Sequence, residues 1–302
     1  MTETIELPTI AVLGLGAMGA AIARAASAKG HRVTAWNRTP RSFDELGLDP
    51  ASGIELARTV RDCVAGVDLI VVCVRDHRAS RAVLGQIAGT RSGSVVVNVS
   101  TGTPAEALDS AAHARELGLR YVTGAVMVPT PMVGTEECFV IYAGSSTDLA
   151  EVAPLFDALQ GTSDVVGDDH AVPPALDLAM LDIFFTGMYA HMHATALAAS
   201  HGVDPARFLP YARGIVSTLG ASLSGVTSSV QERRYDGGEA RLDMCLSFLE
   251  HIVASSREAG IDAGLAEQVR DASARASSRW SGRTDWDVVA EDFLTLQSTS
   301  HE

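Results

Sequence analysis

The six residues Gly14-Leu15-Gly16-Ala17-Met18-Gly19 constrain this chain more than any other feature. Thr9–Leu13, a run of strand-forming residues, leads into them, and a helix-compatible run, Met18–Ala28, leads away. Glycine at the first position permits a tight turn. At the third it lets a bound group approach the backbone, and at the sixth it lets the helix pack closely on the strand. Free N–H groups at such a helix start attract an anion, and the pyrophosphate of a dinucleotide fits that place. Leu15, Ala17 and Met18 share the turn and count with the glycines as candidate cofactor contacts.

The rest of the first half agrees. His31–Trp36, Leu69–Val74, Ser94–Val99 and Arg120–Val122 read as further strands, separated by helical runs such as Ala79–Ile87 and Pro104–Leu117. Near-continuous apolar strands alternating with helices predict an α/β Rossmann domain, a doubly wound parallel sheet covered on both faces. Phe139–Ala143 and Asp164–Val166, flanking Leu149–Leu159, extend it. After Gly167 the strand signals stop. Pro173-Pro174 opens a helical stretch to about Ser200, followed by helices at Pro205–Leu223, Ala240–Ala259 and Gly264–Ala276. The expected division is 1–167, dinucleotide-binding, and 168–302, an all-α domain entered through a long interdomain helix.

An NAD-binding domain places Asp or Glu at the end of the second strand to read the ribose 2′-OH. Here Asn37 stands there, followed by Arg38 and the hydroxyls of Thr39 and Ser42. A guanidinium fork suits a 2′-phosphate, so the expected cofactor is NADPH. Cys73 and Val74 end one strand and Asn98 another, at the carboxyl ends where open sheets bind ligands; Asn98 is a candidate for the nicotinamide ribose or the substrate.

Composition removes several classes. A net charge of −14 makes nucleic acid and anionic membrane surfaces poor partners. Cys63, Cys73, Cys138 and Cys245 are widely separated, which fits a reducing, cytoplasmic setting rather than a disulfide framework. Glu3 and Glu6 interrupt the place where a signal peptide needs apolar residues. Asp177, Asp182, His191 and His193 break Ala175–Ala199 as a membrane span. That same helix is apolar nearly all round and about 39 Å long, so the expected burial is against a second copy, in a homodimer. His191 and His193 point about 200° apart on a helix and share no metal. The serines of 222–229 lack a nucleophile elbow.

Taken together, Gly14–Gly19, Trp36-Asn37-Arg38-Thr39-Pro40, Asn98–Pro104, Gly124–Pro129 and Pro131–Gly134 resemble the NADPH-dependent imine reductase and reductive aminase family, a branch of the β-hydroxyacid dehydrogenases. Ala175–Leu181 is similar to the family's interdomain helix, and Tyr235–Ala240 with Asp243-Met244 to its C-terminal segment. The resemblance implies a Rossmann domain, a helical domain and a dimer interlocked through the long helix. It also implies reduction of imines to amines, extending to reductive amination of a ketone with an amine.

Lysine count separates the branches. The dehydrogenase relatives use a catalytic lysine on the interdomain helix, whereas the single lysine here is Lys29, in the first Rossmann helix. What the long helix offers is Asp177, on one helical stripe with Leu181, Phe184, Met188 and His191, and with Phe185 close by. A carboxylate heading an apolar stripe suits an iminium cation. The resemblance implies an active-site role for Asp177 and a substrate wall from Phe185, Met188 and Met127, with Met244 closing the pocket from the other subunit. Phe185 departs from the Asp or Tyr that many relatives carry, so Tyr189 is the alternative hydroxyl for proton delivery. Two other readings stay open: a reductase of small carbonyls, and a cofactor-binding dimeric scaffold without catalysis.

Overall fold

The computed structural model describes residues 7–88, 93–236, 238 and 240–298. Glu3, Glu6, Gly237 and Glu239 lie outside them. Contacts divide the chain into two compact units, the first ending at Asp182 and the second beginning at Ile183.

The first unit is built on an eight-stranded sheet in the order β3-β2-β1-β4-β5-β6-β7-β8. Its strands are β1 Ile10–Leu13, β2 Val33–Trp36, β3 Ile54–Leu56, β4 Leu69–Val72, β5 Val95–Asn98, β6 Arg120–Val126, β7 Phe139–Ala143 and β8 Thr162–Val165. The interleaved helices are α1 Ala17–Ala28, α2 Phe43–Leu46, α3 Val60–Val64, α4 His77–Ile87, α5 Pro104–Glu116 and α6 Ser146–Leu159. Strands β1 to β6 are parallel, as the apolar runs predict. Strand β7 pairs antiparallel with β6, and β8 parallel with β7, so the last two run opposite to the others. The cause is local. Residues 127–138 return the chain directly to the neighbouring edge with no crossover helix, and only a helical crossover carries a parallel connection.

Two apolar layers cover the sheet. One packs Ile10, Val12, Ile22, Ala26, Val71, Val97 and Tyr142, and the other packs Leu13, Val64, Ile70, Leu84 and Val96. Helix α5 starts with Thr103 and Glu106 in a reciprocal capping box and Pro104 in the first turn. Helix α1 ends at Lys29, which caps its C-terminus from an exposed position.

Helix α7, Val172–Ser200, follows β8 and continues into the second unit. Only Pro173 and Pro174 of it are buried in the single chain. The second unit adds α8 Pro205–Glu232, α9 Leu242–Glu258, α10 Gly264–Ser277 and α11 Glu291–Ser298. Its buried cluster is small, made of Tyr235, Leu242, Ala276, Val288 and Val289. Beside it the Tyr235 hydroxyl donates to Glu291 (2.6 Å), which also pairs with Arg233. No helix among the described residues is long and apolar enough to cross a membrane.

Candidate active site

The glycine turn is built as its spacing requires. Gly14 adopts φ +104°, and a Cβ there collides with the Cys73 carbonyl. A Cβ at Gly19 runs into the Gly14 carbonyl, which is the close helix–strand packing. At Gly16 nothing lies within 4 Å of a Cβ, so its backbone faces open space. Gly16 also precedes α1 without a side-chain cap, leaving the first-turn N–H groups of α1 for a ligand.

Asn37 does not reach outward as a ribose reader. Its Oδ1 accepts from Leu15 N–H (3.0 Å) and its Nδ2 donates to Thr39 O (2.8 Å), which ties the glycine turn to the end of β2. A cleft of about 680 Å³ lies over this turn. Gly14, Gly16, Ala17, Met18, Gly19, Asn37, Arg38, Thr39, Cys73 and Val74 line it, and so do Arg41 and Arg75. Three arginines therefore line one cleft in a chain of net charge −14. Leu15 is buried under the turn rather than on the cleft wall. Ser42 is elsewhere as well, because its hydroxyl caps α2 in a box with Glu45. Arg41 and Arg75 were not singled out in the sequence, although the spacing of Arg41 from Arg38 was there to be read.

A second cavity, about 180 Å³, shares Met18, Cys73 and Val74 with the cleft. Asp177, Pro174, His77, Ser100, Thr101 and Thr123 also line it. Asp177 is half-buried there, and burial pushes its carboxyl above the ordinary aspartate value. Burial also pushes the Cys73 thiol up to about 12, so it is not a nucleophile. His77 is buried with Nδ1 2.7 Å from Ser110 Oγ, and burial lowers its pKa. The sequence reading passed over Thr101 and Thr123, since a lone threonine near a strand end carries no pattern.

Asn98 is corrected. It is buried, it lines neither cavity, and its Nδ2 donates to Ser80 Oγ and Tyr121 OH (2.8 Å each). Its Oδ1 accepts from Ser100 N–H (3.1 Å). The amide is spent on fastening the end of β5, and Ser100 in turn accepts from Val74 N–H. Met127 is half-buried after β6 and its N–H donates to Phe139 O, with no place on the wall of the smaller cavity. Phe185, Met188, Tyr189 and Met244 belong to the second unit, where each is exposed. His193 bonds Ser256 (3.2 Å) and His191 stacks on Phe208. Among the described residues no group of three or more His, Cys, Asp or Glu side chains can hold one.

Comparison with known proteins bears on the same two regions. Residues 9–167 match the family model for the NAD-binding domain of 6-phosphogluconate dehydrogenase. Residues 169–295 match that of the NADPH-dependent reductive aminase-like C-terminal domain. An NADPH-dependent reductive aminase from Aspergillus oryzae is 27% identical over 288 residues, covering 94% of this chain and 96% of that one. The structure of an imine reductase from Bacillus cereus is 30% identical, with TM-score 0.82 and coverage of 94% and 98%. A reductive aminase from Aspergillus terreus, solved with NADPH and ethyl levulinate, is 29% identical with TM-score 0.88 and coverage of 95% and 99%. A glycine turn with guanidinium groups at its cleft, a carboxylate on the following long helix, and likeness along nearly the whole length converge: the chain belongs to the NADPH-dependent imine reductase and reductive aminase family.

Proposed function

We propose that this protein reduces imines to amines with NADPH, and that it also accepts a ketone and an amine that condense to the imine. The observation that carries the reading is Asp177 in a cavity sharing a wall with the dinucleotide cleft. When bound in the cleft, NADPH supplies a hydride. The chain's own groups do the rest. First-turn N–H groups of α1 would hold the pyrophosphate, and Arg38, with Arg41 and Arg75, would hold the 2′-phosphate. Asp177 favours the iminium cation over the neutral imine by its charge, and the apolar wall around it holds the carbon skeleton. No lysine lies past Lys29, which speaks against alcohol–carbonyl chemistry of the dehydrogenase kind.

The family likeness supports Phe185 and Met188 as substrate-wall residues, Tyr189 as a hydroxyl for proton delivery, and Met244 as a contribution from a second copy. The domain division falls at 167, in keeping with where the two family matches meet. The protein works as a homodimer in a reducing compartment, the cytoplasm, a reading supported by four free cysteines.

Oxidation of NADPH in the presence of a cyclic imine, compared with glyoxylate and succinic semialdehyde, tests the reaction class. Turnover of the aldehydes alone favours the carbonyl reductase, and turnover of none favours a scaffold. Asp177→Leu is expected to lose about 10²–10³ in rate, or about 2.7–4 kcal/mol. Asp177→Asn should lose less, because an amide still orients the substrate. Phe185→Tyr should raise the rate or change the product enantiomer. Full activity in Asp177→Leu with unchanged cofactor affinity assigns the carboxylate to the fold instead.

A further inference from the structure

The cavity that holds Asp177 is linked by a hydrogen bond to a separate cleft. Thr123, on β6, lines the cavity, and its hydroxyl lies 2.9 Å from Nδ1 of His170. His170 is half-exposed and lines a different cleft, of about 560 Å³, with Tyr121, Arg115, Arg120 and Asp148. One hydrogen-bonded pair therefore spans the wall between two spaces, with a titratable ring on the far side.

We propose that Thr123 and His170 form a proton path from that cleft into the Asp177 cavity, serving the nitrogen of the substrate. The inference rests on the imine-reductase reading. Reduction of a neutral imine requires a proton as well as a hydride, and the side chain at position 185 is a phenylalanine with none to give. In the balanced step, the hydride brings its electron pair to carbon and forms the C–H bond. The C=N π pair moves to nitrogen, which takes a proton passed on from the Thr123 hydroxyl through water or the Asp177 carboxyl. Thr123 is restored by the Nδ1 proton of the His170 imidazolium, and the imidazole, still protonated at Nε2, turns its bare Nδ1 to the cleft, takes a proton from solvent and swings back.

The surroundings of His170 suit this task. The ring of Tyr121 meets it edge-on, centroids 5.6 Å apart. The Tyr121 hydroxyl is itself bonded among Asn98, Ser110 and Thr123, so the network under the ring is continuous. Burial disfavours the charged imidazolium, while Asp169, Asp168 and Asp148 favour it. Arg115 and Arg120 are the cations of the same cleft, and Arg120 is already paired with Asp148 and Glu151. Burial is the larger influence, so His170 sits below the ordinary histidine value and its imidazolium gives up a proton readily.

The test uses the full-length holoenzyme and two substrates, a cyclic imine and its N-methyl iminium salt. The salt accepts hydride but needs no proton. With a weakly basic aryl-conjugated cyclic imine, still neutral at a pH below the ordinary histidine value where His170 can carry its proton, His170→Gln and Thr123→Val should each lower the imine-to-iminium rate ratio at least tenfold, with Thr123→Ser restoring it. In the cofactor-free protein, an NMR titration of His170 should move in Thr123→Val. Equal slowing of both substrates, or a titration that does not move, overturns the path and leaves the pair as a fastener ahead of α7. Absence of turnover of both substrates by the unaltered protein overturns the imine-reductase reading itself, and the path with it.

Discussion

The two units of this chain treat their apolar side chains in opposite ways. In the first, Ile10, Val12, Leu13, Val71 and Val97 are wholly buried within the unit's own sheet and helices. In the second, Ile183, Phe185, Ile215 and Val216 are each more than 60% exposed in the single chain. The exposed set is ordered rather than scattered. Tyr211, Ile215, Leu219, Leu223 and Val226 form one stripe along α8 at helical spacing. Burying a Val, Leu, Ile or Phe side chain contributes about 1.5–3 kcal/mol. The seven Val, Leu, Ile and Phe residues among these, left in water, forgo on the order of 10 kcal/mol, comparable with the net stability of a typical domain, about 5–15 kcal/mol. The first unit closes on itself, whereas the second leaves an ordered apolar surface uncovered in the single chain.

The contrast breaks most easily at α8. Ile215→Asp with Leu219→Asp places two carboxylates where the second copy is proposed to lie, costing about 4 kcal/mol or more, roughly a thousandfold in Kd. Sedimentation should fall from twice the 31.7 kDa chain mass to that mass. An unaltered protein that sediments at the single-chain mass at micromolar concentration removes the dimer and the lesson with it.

The next effect belongs to the first unit. Arg38→Ala should weaken NADPH relative to NADH by about 1.5–3 kcal/mol, the worth of a hydrogen bond to a charged group. A binding titration with both cofactors reads it, and equal losses count against a 2′-phosphate role. Glycine variants then separate fold from binding within one turn. Gly19→Ala should cost about 1–3 kcal/mol of stability in urea, because its Cβ meets backbone that cannot yield cheaply. Gly16→Ala, with open space around its Cβ, should leave the unfolding midpoint alone and lower NADPH affinity about tenfold. Matching midpoints for the two variants contradict this account.

The smallest expected effect is in pH. His77 and His170, both in the first unit, have pKa values lowered by burial. The unfolded chain binds their protons more readily, so their contribution is present above about 6.5 and is lost as pH falls below it. In the second unit the Arg233 partner lowers the Glu291 carboxyl, whose contribution is lost only as pH falls below the ordinary glutamate value. Asp177 acts in the reverse sense, since burial raises its carboxyl and acidification relieves the cost. Thermal unfolding between pH 7 and 5, read by probes in each unit, should show Tm dropping by a few degrees in the first unit alone. Parallel loss in both units contradicts the assignment.

Much of the sheet was legible because its strands are buried on both faces and so read as unbroken Val and Ile runs. Strand β3, three residues with Glu55 in the middle, leaves no such run, and the reversal at β7 lies in a connection rather than in any strand. Helix α8 runs on to Glu232, past the expected Leu223, because its serines and threonines do not stop it: Ser222 bonds back to Thr218 and Thr227 to Leu223, each within the helix. The dinucleotide turn was legible because each glycine answers a separate steric demand. At Asn98 the local sequence signal and the contacts differ. Its position at a strand end signals exposure to ligand, while the groups that claim it, Ser80 and Tyr121, come from other elements and leave no mark nearby. Asp177 was found through its helix and its charge, and Thr123 only through space.

Lys29, exposed at the C-terminal end of α1, has a practical consequence. Ketones and aldehydes condense with lysine amines, and a protein bathed in carbonyl substrate ordinarily accumulates such adducts over its whole surface. This chain presents one ε-amine, at the end of α1 opposite the glycine turn. Tethering to an aldehyde-bearing support through that side chain would fix the molecule in one orientation with its dinucleotide cleft turned away from the attachment point.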